Sequence, residues 1–391
     1  MKNKKIFILS GGGISNCNSA ACARMSQYAN CLSANRNVSI YIISYLNDDL
    51  HKAFISNNNN IFRLPPSQNK KNINPLNIWA FLNEILHKCP NLKHDPIIIY
   101  PLTNSLFEIT FLLWSRFHRI KNIYYEANEV RFYWARLDTI PLVKRFIYKS
   151  IYHITELLTR YYKGLICINR NIQEYFLIHN NNSIVIPILS PINNRINKPS
   201  DNQIFTITFT GTISIPKENL DELLKGLDRF NKKYDNWKLN LYGITDHQVS
   251  LNQLYDLAVK LKLSSKINFC ENLNQTEIKN ILESSDCLIL PRRNNKQNYY
   301  GFSTKLSEYL VSGTPVILTD TGVVSDYLTD GKDCIMVKGY EAEGFSKAFE
   351  RLISMTQEQK SEMAYNAYLT ASKHFNPYNY TTPFLKFLGI E

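Results

Sequence analysis

Short apolar runs recur along the chain, spaced so that a helix fits between most of them. In the first half they are "KIFILS", "VSIYIIS", "PIIIYP", "NIYYEA", "GLICI" and "SIVIPIL", with helical patterns over 18–34 and 104–117. In the second half the series restarts with "FTITFTG", "KLNLYG", "KINFC", "CLILP" and "PVILTD". Helices are predicted near 217–230, 248–262 and 275–284, and in the run "STKLSEYLV". Strands alternating with helices predict parallel sheets covered on both faces, so the fold class is α/β, doubly wound.

The segment 191–203 breaks this pattern with prolines, asparagines and serine and no apolar periodicity, the composition of a linker. Four segments follow: a domain over 1–190, the linker at 191–203, a second domain over 204–371, and an aromatic, polar end, 372–391, expected to pack back on the first domain. A length of 391 residues suits two domains of ordinary size. In open parallel sheets ligands sit beyond the carboxyl ends of the strands, so the site is expected in a cleft between the domains.

Composition narrows the class. The chain is 44% hydrophobic and 20% charged, which excludes bulk disorder, and its net charge of +12 calls for an anionic partner: nucleic acid, a membrane surface or a phosphorylated substrate. Eight cysteines form no CxxC pair and sit mostly in apolar runs, so they read as reduced core thiols. The histidines show no paired ligand spacing, and no metal or other cofactor is expected. The opening "MKNKKIFILSGGG" has too short an apolar run for a signal peptide, and no run of eighteen apolar residues follows. The expected location is cytoplasmic, or peripheral to the inner face of the membrane.

Candidate chemistry gathers at strand ends. "SGGGISN" carries Gly12 and Gly13 in a loop that lets backbone amides approach a phosphate or sugar. "FTGTISIPKENLDELLKGL" places Gly211 and Thr212 at a turn and Lys217 just before or within the next helix; by itself that lysine reads as a solvated charge. In "YYGFSTKLSEYLVSGTPVI", Ser303 or Thr304 can cap a helix whose Leu306, Leu310 and Val311 face inward, closed by Gly313 and Pro315. Lys305 then stands at the positive end of the helix dipole, where a cation is disfavoured by about 0.3–1 kcal/mol unless it points into water or an anion binds beside it. The helix amides, Lys305 and Lys217 together suit a diphosphate. Glu308, one turn on, either accepts bonds from two ribose hydroxyls or pairs with Lys305. Asp246 and His247 stand at another strand end.

"GFSTKLSEYLVSGTPVI" resembles the nucleotide-sugar motif of glycosyltransferase family 4, retaining enzymes of the GT-B fold. "FTGTISIPKENLDELLKGL" is similar to the first strand and helix of that family's donor domain, and "GLICINRNIQEYF" with "IVIPI" to the end of its acceptor domain. The resemblance implies two Rossmann-like domains facing across a cleft, with a nucleotide-sugar donor on the second and a saccharide acceptor on the first. It implies metal-independent transfer with retention, in polysaccharide biosynthesis of the capsule or lipopolysaccharide type. Lys217 matches the diphosphate lysine, Glu308 the ribose-binding glutamate, and Gly12 and Gly13 the loop that nears the donor phosphates. The loop Tyr300, Gly301, Phe302, Ser303 and Thr304 completes the donor site, and Asn128 and Glu129 occupy the place of the acceptor-domain histidine loop. Three positions depart from the family: Tyr300 replaces a glutamate, Thr212 replaces an arginine, and "YEANEV" replaces the histidine loop. Arg292 or Arg293 in "LPRRNNKQ", with Lys305, is the expected source of the missing positive charge.

Residues 131–163 combine seven Lys and Arg with two acids and many rings. They read as a surface for an anionic membrane, which suits a lipid-linked acceptor, or else as core rings with solvated cations. Nothing in the sequence resembles a nucleic-acid-binding aromatic motif. A binding protein that has lost activity, or a nucleotide-sugar epimerase on the same fold, is the alternative function.

Overall fold

The computed structural model describes residues 4–10, 20–45, 61–64, 73–100, 105–192, 203–243, 248–270 and 273–390. The chain divides into two compact units, one of Met1–Pro191 with Pro377–Glu391, the other of Ile192–Asn376.

The first unit runs β1 (Lys4–Ser10), α1 (Ala20–Ser33), β2 (Val38–Ser44), β3 (Ile61–Leu64), α2 (Pro75–Lys88), β4 (Ile97–Tyr100), α3 (Ser105–Phe117), β5 (Ile123–Ala127), α4 (Leu142–Leu157), β6 (Gly164–Cys167), α5 (Arg170–Phe176) and β7 (Ser183–Val185). Its sheet has the order β3-β2-β1-β4-β5-β6-β7, parallel throughout. β1 pairs in register with β2, Ile6 opposite Ile40, and with β4 on its other side, Ile8 opposite Ile98. Ile6, Phe7, Ile8 and Leu9 are all fully buried, which is why β1 reads as an unbroken apolar run rather than an alternating one.

In the second unit the order is β8 (Phe205–Thr210), α6 (Leu220–Asn231), β9 (Trp237–Tyr242), α7 (Gln248–Lys260), β10 (Ile267–Cys270), α8 (Gln275–Ser284), β11 (Cys287–Leu290), α9 (Lys296–Tyr300), α10 (Thr304–Val311), β12 (Val316–Thr319), β13 (Ile335–Val337), α11 (Ala342–Ser354) and α12 (Gln357–His374). The sheet order is β10-β9-β8-β11-β12-β13, again parallel. α6 buries Leu220, Leu223, Leu224, Leu227 and Phe230, the spacing of one helix face, against this sheet's core. α8 opens with a capping box in which Asn274 and Glu277 satisfy each other's backbone amides at 3.0 and 2.8 Å. The order turns at β8, between β9 and β11, so the carboxyl ends of β8 and β11 form the switch point where such sheets bind ligands.

One expected boundary falls outside the described residues and another is displaced. Residues 193–202 of the expected linker lie outside the described residues. The expected break at 372 falls inside α12, and Phe375 remains in the second unit against Phe302 and Tyr327, with ring centroids 5.8 and 5.1 Å away. The chain joins the first unit only from Pro377, where α13 (Thr381–Phe387) and the residues after it bury Phe384, Leu385 and Leu388 in that unit's core. The 131–163 stretch is not one surface either. Trp134, Leu137 and Tyr152 form a buried cluster of their own, while the first half of α4 stays exposed.

Candidate functional site

At the end of β8 the backbone reaches Gly211, whose amide donates to Tyr242 O at 2.9 Å. Neighbouring Gly243 ends β9 at φ +153°, and a Cβ there would fall 1.7 Å from Gly211 O. Only glycine permits so close an approach of two strand ends.

From Gly211 the chain makes a turn before α6, closed by Glu218 N donating to Ser214 O at 2.7 Å. Lys217 sits in this turn, three residues ahead of the helix rather than in its first turn. Its carbonyl accepts from Asn298 Nδ2 at 2.8 Å and from Arg293 N at 3.2 Å. Its backbone is thus fixed, while its half-buried ammonium makes no recorded hydrogen bond or ion pair with any described residue.

The next residue, Glu218, is 3% exposed and forms an ion pair with Arg292 at 3.2 Å. Burial raises its pKa above the ordinary carboxylate value, with Arg292 and then Lys217 drawing it back. The same guanidinium donates through Nη1 to Asn298 Oδ1 at 3.2 Å and through Nη2 to Ser303 Oγ at 2.8 Å. Arg293 donates to Ile215 O at 3.0 Å and pairs with Asp221. Both arginines expected to supply missing positive charge are therefore already committed to carboxylates of the protein. They brace the Lys217 turn against α9 and α10.

Ser303 occupies the N-cap position of α10, yet its side chain makes no capping bond, because its hydroxyl accepts from Arg292 instead. The amides of the first helical turn are left without a side-chain cap, and unsatisfied amides at a helix N-terminus attract anions. Asn274, Asn295 and Thr356 do cap α8, α9 and α12 in the same unit. Lys305 pairs with Glu308 at 3.2 Å, so the two residues assigned to diphosphate and ribose meet each other here. Leu306 and Leu310 are buried as the sequence pattern predicts, but Val311 is only partly so. Tyr309 is fully buried, and its hydroxyl accepts from Thr210 N at 2.8 Å, tying α10 to the end of β8.

Tyr300 ends α9, its ring edge-on to Tyr299 at 5.0 Å. Gly301 closes that helix by donating to Gln297 O at 2.8 Å, and Phe302 stacks on Tyr327 with centroids 5.4 Å apart. Beside α9 a pocket of about 240 Å³ is lined by Asn294, Tyr299, Asp320, Ser325 and Tyr340 among others.

In the first unit, Asn128 and Glu129 follow β5. Glu129 Oε2 accepts from Trp134 Nε1 at 2.5 Å, and Asn128 Nδ2 donates to Tyr100 Oη at 3.4 Å. Just before them Glu126, fully buried, pairs with Arg24 at 2.6 Å and accepts from Tyr28 at 2.7 Å. Burial raises the pKa of Glu126, against Arg24 and the hydrogen bonds from Arg24 and Tyr28. Arg24 also donates to Pro187 O and Ile186 O at 2.7 and 2.8 Å, joining α1, β5 and the chain after β7. Gly12, Gly13, Asp246 and His247 lie outside the described residues. Thr212, Thr304 and Lys305 lie with Gly211, Lys217, Arg292 and Glu308 in the second unit, while Asn128 and Glu129 belong to the first. Among the described residues no group of three His, Cys, Asp or Glu could hold a metal ion.

Sequence reasoning missed Glu218, Asn298 and Tyr309. Glu218 could have been noticed as an acid directly beside the candidate lysine; nothing local marks the other two.

Residues 193–370 match the family model described as glycosyl transferases group 1. The O-antigen chain mannosyltransferase RfbU of Salmonella typhimurium is 31% identical over 118 residues, which are 30% of this chain and 31% of that protein. The chain thus matches less than a third of the length of that curated relative. Among solved structures, Anabaena HepE in complex with UDP superposes with a TM-score of 0.72 at 14% identity, over 98% of this chain and 99% of that one. The lipopolysaccharide outer core galactosyltransferase WaaB gives 0.67 at 13% identity, over 98% and 99%. Sucrose-phosphate synthase from Thermosynechococcus elongatus gives 0.71 at 12% identity, over 99% and 100%. At these identities the likeness shows the fold, which is the two-domain α/β GT-B class.

Proposed function

We propose that this protein is a retaining hexosyltransferase of the family 4 type, moving a sugar from a nucleotide-sugar donor to a lipid-linked saccharide acceptor in surface polysaccharide synthesis. The observation that carries this reading is Lys217. Its backbone is clamped at the switch point between β8 and β11, its ammonium has no recorded partner among the described residues, and it lies in the segment that matches the glycosyl transferases group 1 model. The acceptor class is supported by two relatives described as an O-antigen chain mannosyltransferase and a lipopolysaccharide outer core galactosyltransferase, and the donor class by one solved with UDP.

The leaving group of such a transfer is a nucleoside diphosphate, and charge developing on it is the main thing to stabilise. Lys217 and the uncapped amides of α10 do this with fixed positive ends and without a metal. Lys305 adds its charge to the diphosphate once Glu308 turns to the ribose hydroxyls, where its two oxygens accept a bond each. Tyr300 to Thr304 line the donor, with Gly211 and Thr212 at its phosphates, and Asn128 and Glu129 serve the acceptor.

A panel of nucleotide sugars tests the reading. A donor present at a hundred times its Kd adds about 2.7 kcal/mol to the stability of the unit that binds it, so the true donor raises Tm and competitors do not. Incubation with that donor and a lipid-linked saccharide then yields a product whose anomeric configuration, read by NMR, matches the donor's. The proposal fails if no nucleotide sugar shifts Tm and none is consumed. Epimerised donor in the absence of acceptor favours the epimerase alternative.

A further inference from the structure

The helix α4 is built the wrong way round for a helix on a water-facing surface. At about 100° per residue, Leu142, Phe146, Val143, Ile154 and Ile147 occupy one arc of roughly 140°, and these side chains are between 48% and 76% exposed. The opposite arc, which faces the unit's interior, carries Tyr152, Thr155 and Glu156, all buried. Thr155 Oγ1 accepts from Arg131 Nη2 at 3.3 Å, and Glu156 Oε2 accepts from Tyr175 Oη at 2.9 Å. Thr155 and Glu156 are thus held inside together with Tyr152, while the outward arc, which also carries Ser150 and His153, is mainly apolar.

We propose that this outward arc docks the first unit on an anionic lipid bilayer, with α4 lying in the plane of the interface and Leu142, Val143, Phe146 and Ile147 sinking among the acyl chains. Lys144 and Lys149 stand at the two edges of the arc, where the headgroups lie. The single acid on the helix, Glu156, is buried away from that face. Of the cations nearby, Arg145 is held by Asp138, donating to its carbonyl at 2.7 Å, and Lys149 lies 4.9 Å from the Phe132 ring. Lys144 is exposed and has no recorded ion pair among the described residues. Sixteen residues in a helix carrying these charges do not cross a membrane, and no described helix is long and apolar enough to do so.

Charge decides between occupants. A second copy of this chain seated on the arc brings two sets of Lys144 and Lys149 together on a molecule of net charge +12, and repulsion opposes it. An anionic headgroup layer neutralises the same lysines while the acyl region takes the apolar side chains. The inference does not depend on the transferase reading, because vesicle binding is measured without donor or acceptor.

The test is cosedimentation of the full chain with phosphatidylcholine vesicles, with and without phosphatidylglycerol. Binding is expected only with the anionic lipid, and it should fall as salt rises. The double variant F146E/I147E should bind at least about tenfold more weakly, and K144E/K149E also about tenfold more weakly, with unchanged circular dichroism, since Lys144, Phe146 and Ile147 are exposed and Lys149, half-buried, lies over the Phe132 ring at the helix surface. V259E, at an exposed position in the second unit, should bind as the parent does. The proposal is overturned if the parent chain stays in the supernatant with both vesicle types, or if it binds neutral vesicles equally well. It is also overturned if F146E/I147E sediments like the parent. A parent dimer in sedimentation velocity that F146E/I147E converts to monomer assigns the arc to a second copy and overturns the lipid assignment as well.

Discussion

The carboxyl-terminal edges of the two sheets use charge in opposite ways. Around β5 in the first unit, Glu126 with Arg24 and Glu108 with Arg131 are matched pairs, each residue no more than 6% exposed, and each arginine spends its remaining donors on backbone or side-chain oxygens. Past β8 and β11 in the second unit, two arginines are matched likewise, by Glu218 and Asp221, but Lys217 is left over beside them. A cation surrounded by acids that already have partners is not needed to neutralise the fold. The first edge therefore holds a structure together, and the second holds together a structure with a charge to spare. Substitutions that separate stability from activity put that contrast to the test.

The largest expected effect falls on the first edge. Removing one partner of a buried pair strands the other, a loss of about 3–5 kcal/mol, so Glu126→Ala should leave Arg24 buried and uncompensated. Urea unfolding followed by tryptophan fluorescence reports it well, since Trp79, Trp114 and Trp134 all belong to the first unit. A loss below about 1 kcal/mol would place the Arg24 network among ordinary surface pairs.

Next comes Lys217, with the opposite signature. Taking away a fixed positive group from a developing oxyanion costs about a hundredfold to a thousandfold in kcat, whereas an unpaired, half-exposed side chain changes stability by less than about 0.5 kcal/mol. Lys217→Ala should thus unfold like the parent and transfer sugar poorly. If it loses stability and keeps its rate, the leftover charge has been misread.

How far this contrast was legible beforehand follows from how local its signals are. β1, β8 and β11 announce themselves as apolar runs because both of their faces are buried, and Gly211 and Lys217 stand out because they directly follow a strand. β3 and β13 are four and three residues long, too short for a pattern to exceed chance, and are recognisable only through the neighbour they pair with. α12 buries alanines, Ala364, Ala367 and Ala371, whose small apolar signal let the expected boundary slip to 372. The brace around Lys217 was hidden for another reason. Asn298 reaches the Lys217 carbonyl across 81 residues of sequence, and Tyr309 reaches Thr210 across 99. Contacts of that span are set by strand order and leave no local trace.

The Glu218 and Arg292 pair gives the third test, one with a pH axis. Burial holds the folded-state pKa of Glu218 above its unfolded value of about 4.5, with Arg292 the first influence drawing it down. A raised carboxyl binds its proton more tightly when folded, so its contribution to stability is complete below the unfolded pKa and is lost as pH climbs through the folded one. Arg292→Ala removes the counter-charge and pushes that folded value higher. Relative to the parent, the variant should lose about 2 kcal/mol at neutral pH and less near pH 5, whereas the difference between R292A/E218Q and E218Q should be the same at both pH values. A flat profile for Arg292→Ala would mean that Glu218 is not the acid being stranded.

The smallest effect on the fold comes from Glu308, and it is the most discriminating. Its pairing with Lys305 is a half-exposed i to i+3 contact, worth about 0.2–0.5 kcal/mol. If that pair is all Glu308 does, Glu308→Gln changes Tm by a degree or less and leaves donor affinity alone. If the carboxylate leaves Lys305 to hold ribose hydroxyls, the same variant gives up charge-assisted bonds worth about 1.5–3 kcal/mol and donor affinity falls at least tenfold, with the fold still intact. Lys305→Ala tells the two apart from the other side. It frees Glu308 from its competitor while removing a cation from the diphosphate, so binding of the nucleoside alone should hold or improve while binding of the nucleoside diphosphate weakens. Equal losses for both ligands would mean that the lysine supports the helix rather than the phosphates.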